Sequence, residues 1–266
     1  MKIILLTGSE TRHEYFRKTL ASDGRFQVLA SYCEGAEQSL EARTKANPQA
    51  STRELQHAAA RRQAEADFFG AATDALPDNA PAHSIPKGAI NDDAIVEAII
   101  DQAPDLLVCY GASLIKSRLL GVFEGRFVNV HLGLSPYYRG SGTNVWPLIN
   151  REPALVGATF MQIDPGIDTG AIIHQIQADI VLGDSPHSIG NRLIAKMTRT
   201  TAELVTRYDT LSAMPQPTTE GRLYRQRDFD QQACERLYRN FRDGMIEAFL
   251  DEQPQPPALV RNPGMP

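Results

Sequence analysis

The sequence predicts an α/β fold built on a mostly parallel sheet, and three observations point there. The chain opens strand–turn–helix–strand, short apolar runs alternate with helical patterns, and one run is nearly continuous in apolar residues, as strands covered on both faces are. Residues 2–7 (KIILLT) form the first strand, followed by Gly8-Ser9 and a helix from about Thr11. Thr11 and Glu14 have capping-box spacing, and Phe16 and Leu20 share a face. A second strand is expected at Phe26–Ala30. From about residue 34 to 82 the composition shifts to Ala, Arg, Glu and Gln, which predicts a helical insertion with too few large apolar residues for a core of its own. Within it, Ser51 and Glu54 would cap a helix over Thr52–Phe69 that stops at Gly70, and Ala75–Pro86 reads as a loop. Asn91 would cap a helix through Ile100, stopped by Pro104. Strands follow at Asp105–Tyr110, Phe127–Val130, Leu155–Ile163 and Ala171–Gln177, the last two joined by the tight loop DPGIDTG. Ser185-Pro186 predicts a capped helix that buries Ile189, Leu193, Met197 and Leu204. Beyond it lie a short strand at Arg222–Arg225, read as an exposed edge guarded by charge, and one helix carrying Cys234, Leu237, Tyr238, Phe241, Met245 and Phe249. A loose proline-rich tail follows Gln253.

Composition narrows the function classes. The 266 residues are 42% hydrophobic and 22% charged with a net charge of −5, values of a globular chain that argue against a general nucleic-acid binder. Cys33, Cys109 and Cys234 are far apart and form no CxxC, so neither a disulfide scaffold nor a thiolate metal site is expected, and no metal is assigned. The apolar N-terminal run is too short for a signal peptide or a membrane span, which makes the expected location cytoplasmic, away from membranes.

Three polar residues sit where strands end or turns begin. Asn129 and His131, two apart in VNVHLGLSPYYRG, project from the same face of a strand, and Asp168 lies in DPGIDTG. The Leu-Gly-Leu-Ser-Pro that follows breaks the strand and opens a cleft at its carboxyl end, where open parallel sheets bind ligands. An Asn amide can donate to an oxygen that becomes negative in a tetrahedral intermediate, worth roughly 2.7–4 kcal/mol. A histidine can carry a proton between attacking and leaving nitrogens, and a nearby aspartate can organise that transfer. Spacing alone leaves the plain reading open, since a histidine at a strand end is usually structural and a DxG loop is usually a turn.

NVHLGLSPYYRG followed by GATFMQIDPGIDTGAII resembles the folate-dependent formyltransferases, the group of methionyl-tRNA formyltransferase and glycinamide ribonucleotide formyltransferase. Asn-x-His, a Pro-x-Tyr-Arg-Gly turn and an Asp-x-Gly loop occur here in order, and the match is strongest over 105–177. The resemblance implies a Rossmann-like catalytic domain over 1–210 with the insertion at about 34–82, and a mostly helical C-terminal extension over 211–266. It implies that Asn129 polarises the formyl oxygen, that His131 holds the oxyanion and moves the proton, and that Asp168 positions His131 and a bridging water. Ser113, Leu114 and Ile115, with Asp164 and Gly166, would bind the folate, and Tyr138 and Arg139 would flank the acceptor. The implied co-substrate is 10-formyltetrahydrofolate, and no metal is required.

The departures bear on the acceptor. In the purine-pathway enzymes the first strand–helix turn tends to bind phosphate, whereas here Glu10 would repel one and Arg12 could offset it. Met161 stands where those enzymes carry a second histidine, as in the tRNA enzymes, but the tRNA enzymes also have a C-terminal barrel, and the fifty-odd residues after the long helix look helical. The expected acceptor is therefore the primary amine of a small metabolite, an amino sugar or amino-acid derivative. Hydrolysis of the donor, a methionyl-tRNA formyltransferase-like activity and a non-catalytic folate-binding module are the alternatives, with a homodimer left open. Other polar residues have plainer readings: Trp146 packs in the core, Arg61-Arg62 is a solvated face, His174 and His187 are surface or packing residues, and Cys109 is a small buried hydrophobe.

Overall fold

The computed structural model describes residues 1–35, 39–217 and 221–266. Parts of the expected insertion (36–38) and of the expected C-terminal extension (218–220) lie outside the described residues. A seven-stranded sheet runs through the molecule in the order β3 (Ala82–Ile85), β2 (Gln27–Glu34), β1 (Lys2–Thr7), β4 (Leu106–Tyr110), β5 (Phe127–His131), β7 (Gly157–Gln162) and β8 (Ile172–Gln177). The pairings from β3 to β5 are parallel, and those of β5 with β7 and β7 with β8 are antiparallel. The mostly parallel α/β fold read from the sequence is the fold observed.

The continuous apolar runs follow from burial on both faces. Ile3 and Leu5 of β1 pack into one core cluster with Phe16 and Leu20 of α1 (Thr11–Ala21) and Leu193 and Met197 of α7 (Pro186–Arg207). Ile4 and Leu6, pointing the other way, join Ile99 of α4 (Asp93–Asp101) and Leu119 of α5 (Ser117–Val122). Each such fully buried aliphatic side chain contributes roughly 1.5–3 kcal/mol, so burial rather than strand propensity holds β1 central. The four residues expected on the buried side of α7 are all fully buried, and Ser185 caps it by accepting the Ser188 N–H at 3.1 Å.

Several element boundaries differ from expectation. Glu10, not Thr11, precedes the first turn of α1: its N–H donates to His13 Nδ1 at 3.1 Å, while Glu14 pairs with Lys18. The second strand runs four residues further, to Glu34, because Tyr32, Cys33 and Glu34 are buried beside β1. Ser51 and Glu54 do form the expected capping box of α3 (Thr52–Ala75), but that helix runs through Gly70. A mid-helix glycine costs only about 1 kcal/mol, and the buried Phe69, whose ring lies 4.7 Å from that of Tyr15, outweighs it. The following loop contains the edge strand β3, and Asp92 rather than Asn91 sits at the start of α4. The shorter α2 (Leu40–Ala46) precedes α3, and both belong to the insertion between β2 and β3.

A second, two-stranded sheet pairs β6 (Tyr138–Gly140) in parallel with β9 (Arg222–Tyr224). The expected exposed edge strand is present, with Arg222 and Leu223 exposed, and Tyr224 anchors it by stacking at 4.0 Å on Trp146 of α6 (Trp146–Ile149). The single C-terminal helix is two, α8 (Gln231–Arg242) and α9 (Met245–Glu252), because Gly244 turns left-handed at φ 74° between them. Ala233, Leu237, Met245 and Ile246 of these helices pack into the same cluster as β1. The proline-rich stretch after Gln253 is irregular as expected, but from Val260 the tail is tied to the sheet. Gln175 N–H donates to Val260 O at 2.9 Å and Asn262 N–H to His174 Nδ1 at 3.2 Å, so His174 is buried under the tail and not at the surface.

Candidate active site

The carboxyl ends of β1, β2, β4 and β5 open into a cleft of about 610 Å3. It lies beside β1, where the sheet order reverses, so strand topology alone places a ligand-sized cavity there. Alternation on β5 sends Val128 and Val130 into the core and turns Asn129 and His131 to the cleft.

Asp168 joins them from the loop between β7 and β8. Its Oδ1 accepts from Asn129 Nδ2 at 3.0 Å and lies 3.3 Å from His131 Nδ1, while its Oδ2 accepts the Gly140 N–H at 2.8 Å. On its other side, His131 Nε2 is 3.1 Å from the Tyr138 carbonyl oxygen and 3.4 Å from Thr143 Oγ1. Both ring nitrogens thus face oxygen atoms, which fixes the orientation of the ring. The main chain is shaped around this contact. Asp168 takes the left-handed conformation at φ 53°, uncommon for a residue with a side chain. Gln216 Nε2 holds that turn by donating to the Asp168 carbonyl at 2.8 Å and to that of Gly170 at 3.0 Å. At Gly133 a Cβ would stand 2.5 Å from His131 Nε2, so only glycine fits there.

The residues expected around a folate line the same cleft. Ser113, Leu114 and Ile115 form one wall, with the Ser113 N–H donating to Glu34 Oε2 at 2.6 Å. Asn91 ties this wall down, accepting the Lys116 N–H at 2.8 Å and donating to the Leu114 carbonyl at 3.0 Å. Asp164 and Gly166 face it, but the Asp164 carboxylate is engaged within its own loop by Thr169 Oγ1 and the Gly166 N–H. Leu114 and Ile167 stay exposed, two large apolar side chains on the rim.

Tyr138 and Arg139 must be corrected, since neither lines the cleft. Tyr138 is buried with its hydroxyl between Glu152, Asn150 and Arg222, and only its backbone carbonyl reaches His131. Arg61 is also corrected: it lies on the cleft wall, not on a solvated face. Arg61 and Arg12 both reach Glu65, at 3.1 and 2.8 Å, and Arg12 also pairs with Glu10. Burial would raise the Glu10 carboxyl, but Arg12 and Arg61 outweigh it and hold it at about 2. His57, on the same wall, is pushed by burial and by His187 down to about 3, and its Nδ1 meets the Tyr238 hydroxyl at 2.9 Å. Cys109 is buried as expected, its thiol pushed by that burial up to about 12. Sequence reasoning missed Thr143, Gln216, Glu34 and His57, whose partners lie from 12 to 181 residues away with no local motif to announce them. Among the described residues no group of three or more His, Cys, Asp or Glu could hold a metal ion, and no helix is long and apolar enough to cross a membrane.

Comparison with known proteins agrees with the motifs. The formyl transferase family model matches residues 2–204, and the chain belongs to that family. It is 32% identical over 155 residues to a methionyl-tRNA formyltransferase of Geotalea uraniireducens, covering 58% of this chain and 46% of that protein. It is 30% identical over 122 residues to a GDP-perosamine N-formyltransferase of Brucella melitensis, covering 46% of this chain and 47% of that one. The chain thus spans about half the length of these relatives. Among solved structures it shares the fold of the formyltransferase PseJ from Anoxybacillus kamchatkensis, solved with UDP-4,6-dideoxy-4-formamido-L-AltNAc and tetrahydrofolate. That similarity has a TM-score of 0.51 at 19% identity and covers 88% of this chain and 97% of the other.

Proposed function

We propose that this protein transfers a formyl group from 10-formyltetrahydrofolate to the primary amine of a small metabolite, with an amino sugar as the favoured class. The observation that carries the reading is the single carboxylate of Asp168 shared between His131, Asn129 and the Gly140 N–H at the mouth of the sheet. In the reaction the amine nitrogen attacks the formyl carbon, the carbonyl oxygen becomes negative, and the bond to the folate nitrogen then breaks. The amine loses one proton and the leaving nitrogen gains one. The Asn129 N–H not given to Asp168 donates to the forming oxyanion, the largest electrostatic contribution in such steps. His131 moves the proton through the ring edge that faces Asp168, and Asp168 keeps the ring oriented. The exposed apolar pair Leu114 and Ile167 suits a flat heterocycle, which supports a folate as donor.

Membership of the family supports formyl transfer, and the amino-sugar class is supported by the GDP-perosamine N-formyltransferase relative and by the PseJ structure solved with a formamido sugar nucleotide. Incubation of the protein with 10-formyltetrahydrofolate, with and without a panel of amino sugars, amino acids and aminoacylated tRNA, tests the proposal. Amine-dependent release of tetrahydrofolate and a formamide product are expected. Formate release of equal rate without any amine would replace transfer by hydrolysis.

A further inference from the structure

Among the described residues, each carboxylate on the cleft wall is held by a cation, a hydroxyl or an N–H group, and the arginines and lysine other than Arg43 each lie beside a carboxylate. Arg12 and Arg61 face Glu10 and Glu65. Glu34 accepts N–H groups from Gly88, Ile90 and Ser113 at 2.9, 3.1 and 2.6 Å, with Lys87 Nζ at 3.5 Å. Glu54 closes the cap of α3, and Asp164 and Asp168 are held as described above. Arg43, presented by α2 of the insertion, has no carboxylate partner among the described residues. Its Nη1 donates to the side-chain oxygen of Gln226, and its Nε is shielded from solvent with no hydrogen-bond partner. A shielded guanidinium N–H with no acceptor is costly, and the planar fork of arginine matches a carboxylate or phosphate.

The first strand–helix turn is closed to an anion. The Glu10 carboxylate stands at the start of α1, paired with Arg12 and within 3.4 Å of the Leu40 N–H, and would repel a second anion. Gln226, by contrast, lines the cleft and is close in the chain to a strand that borders the reaction centre. It lies two residues after β9, whose Tyr224 pairs with Gly140, the residue whose N–H holds Asp168.

We propose that Arg43, steadied by Gln226, is the anion subsite for the acceptor, which therefore carries a phosphate, diphosphate or carboxylate besides its amine. The inference rests on the formyl-transfer reading for calling the ligand an acceptor. The anion subsite itself is tested without turnover. Calorimetric titration of the full chain with inorganic pyrophosphate and, separately, with citrate compares the wild type with Arg43→Gln and with Arg25→Gln, an exposed arginine outside the cleft paired to Asp23 and Glu203. Wild type and Arg25→Gln are expected to bind at least one of the two anions alike, and Arg43→Gln at least about tenfold more weakly. Binding of pyrophosphate alone assigns a phosphate-bearing acceptor, and binding of citrate alone a carboxylate-bearing one. Equal binding by wild type and Arg43→Gln, or no binding of either anion by wild type at about 10 mM, overturns the proposal. In a second arm, an amino sugar is offered with and without an attached nucleoside diphosphate. Arg43→Gln should narrow the ratio of the two kcat/KM values by about tenfold. Arg43-dependent anion binding without formyl transfer to any amine would sink the transfer reading and leave the subsite standing.

Discussion

At the scale of single residues, the site is built from strain and close approach. Asp168 gives up ordinary backbone geometry so that one carboxylate reaches two side chains and a backbone N–H. His131→Ala and Asp168→Ala should each lower turnover at least about 100-fold with unchanged circular dichroism. Near wild-type turnover by a folded Asp168→Ala protein would remove the proton relay. Gly133→Ala places a methyl group against the His131 ring, and a drop in kcat of about 10- to 100-fold is expected by steady-state assay. Asn129, His131 and Asp168 were all legible as polar residues at strand ends and turns, because period-two alternation, a strand break and a Gly/Asp/Pro loop are local signals, while the catalytic roles given to them rest on the family resemblance. Tyr138 was misplaced for a physical reason: its orientation is decided by Glu152, Asn150 and Arg222, up to 84 residues away.

At the scale of elements, tertiary packing overrides local punctuation. Gly70 looked like a helix end but sits inside α3, where nothing lies within 4 Å of an added Cβ. Gly70→Ala should therefore stabilise the protein by about 0.4–1 kcal/mol, read as a rise in Tm of about 1–3 °C. A fall in Tm would show that the helix is not continuous there. The loop carrying Asp168 is clamped from the C-terminal segment by Gln216. Gln216→Ala should lower kcat about tenfold with a smaller effect on KM for the folate, because its bonds hold the Asp168 and Gly170 carbonyls and reach neither Ser113, Leu114 and Ile115 nor the Asp164 carboxylate. An equal loss in both constants would make Gln216 a general structural support.

At the scale of the whole molecule, the buried imidazoles set the acid response. Burial holds His57 at about 3 and, with Arg61 beside it, His187 at about 4, against an ordinary value of 6.5. Between those values the unfolded chain binds protons that the folded protein does not. Their contribution is thus complete above about pH 6.5 and is lost as pH falls toward 4 and then 3. Glu10 acts in the same direction at lower pH, between its ordinary 4.5 and about 2. A decrease in Tm of about 5 °C or more from pH 7 to pH 4.5 is expected by calorimetry, and a flat profile would mean that the two imidazoles are hydrated in the folded state. The insertion and the C-terminal helices meet at this cluster, since Tyr238 of α8 contacts both His57 of α3 and His187 of α7.

The sequence by itself determined the layered α/β core, the long α7 and the pair Asn129 and His131, because apolar periodicity, capping spacing and strand alternation act within a few residues. Only the tertiary structure decided that Arg61 and Arg43 face the cleft, that Tyr138 does not, and that the C-terminal tail packs on β8. Those outcomes depend on charges, ring contacts and hydrogen bonds between segments far apart in the chain. The energy of each such contact exists only after the sheet has brought its partners together.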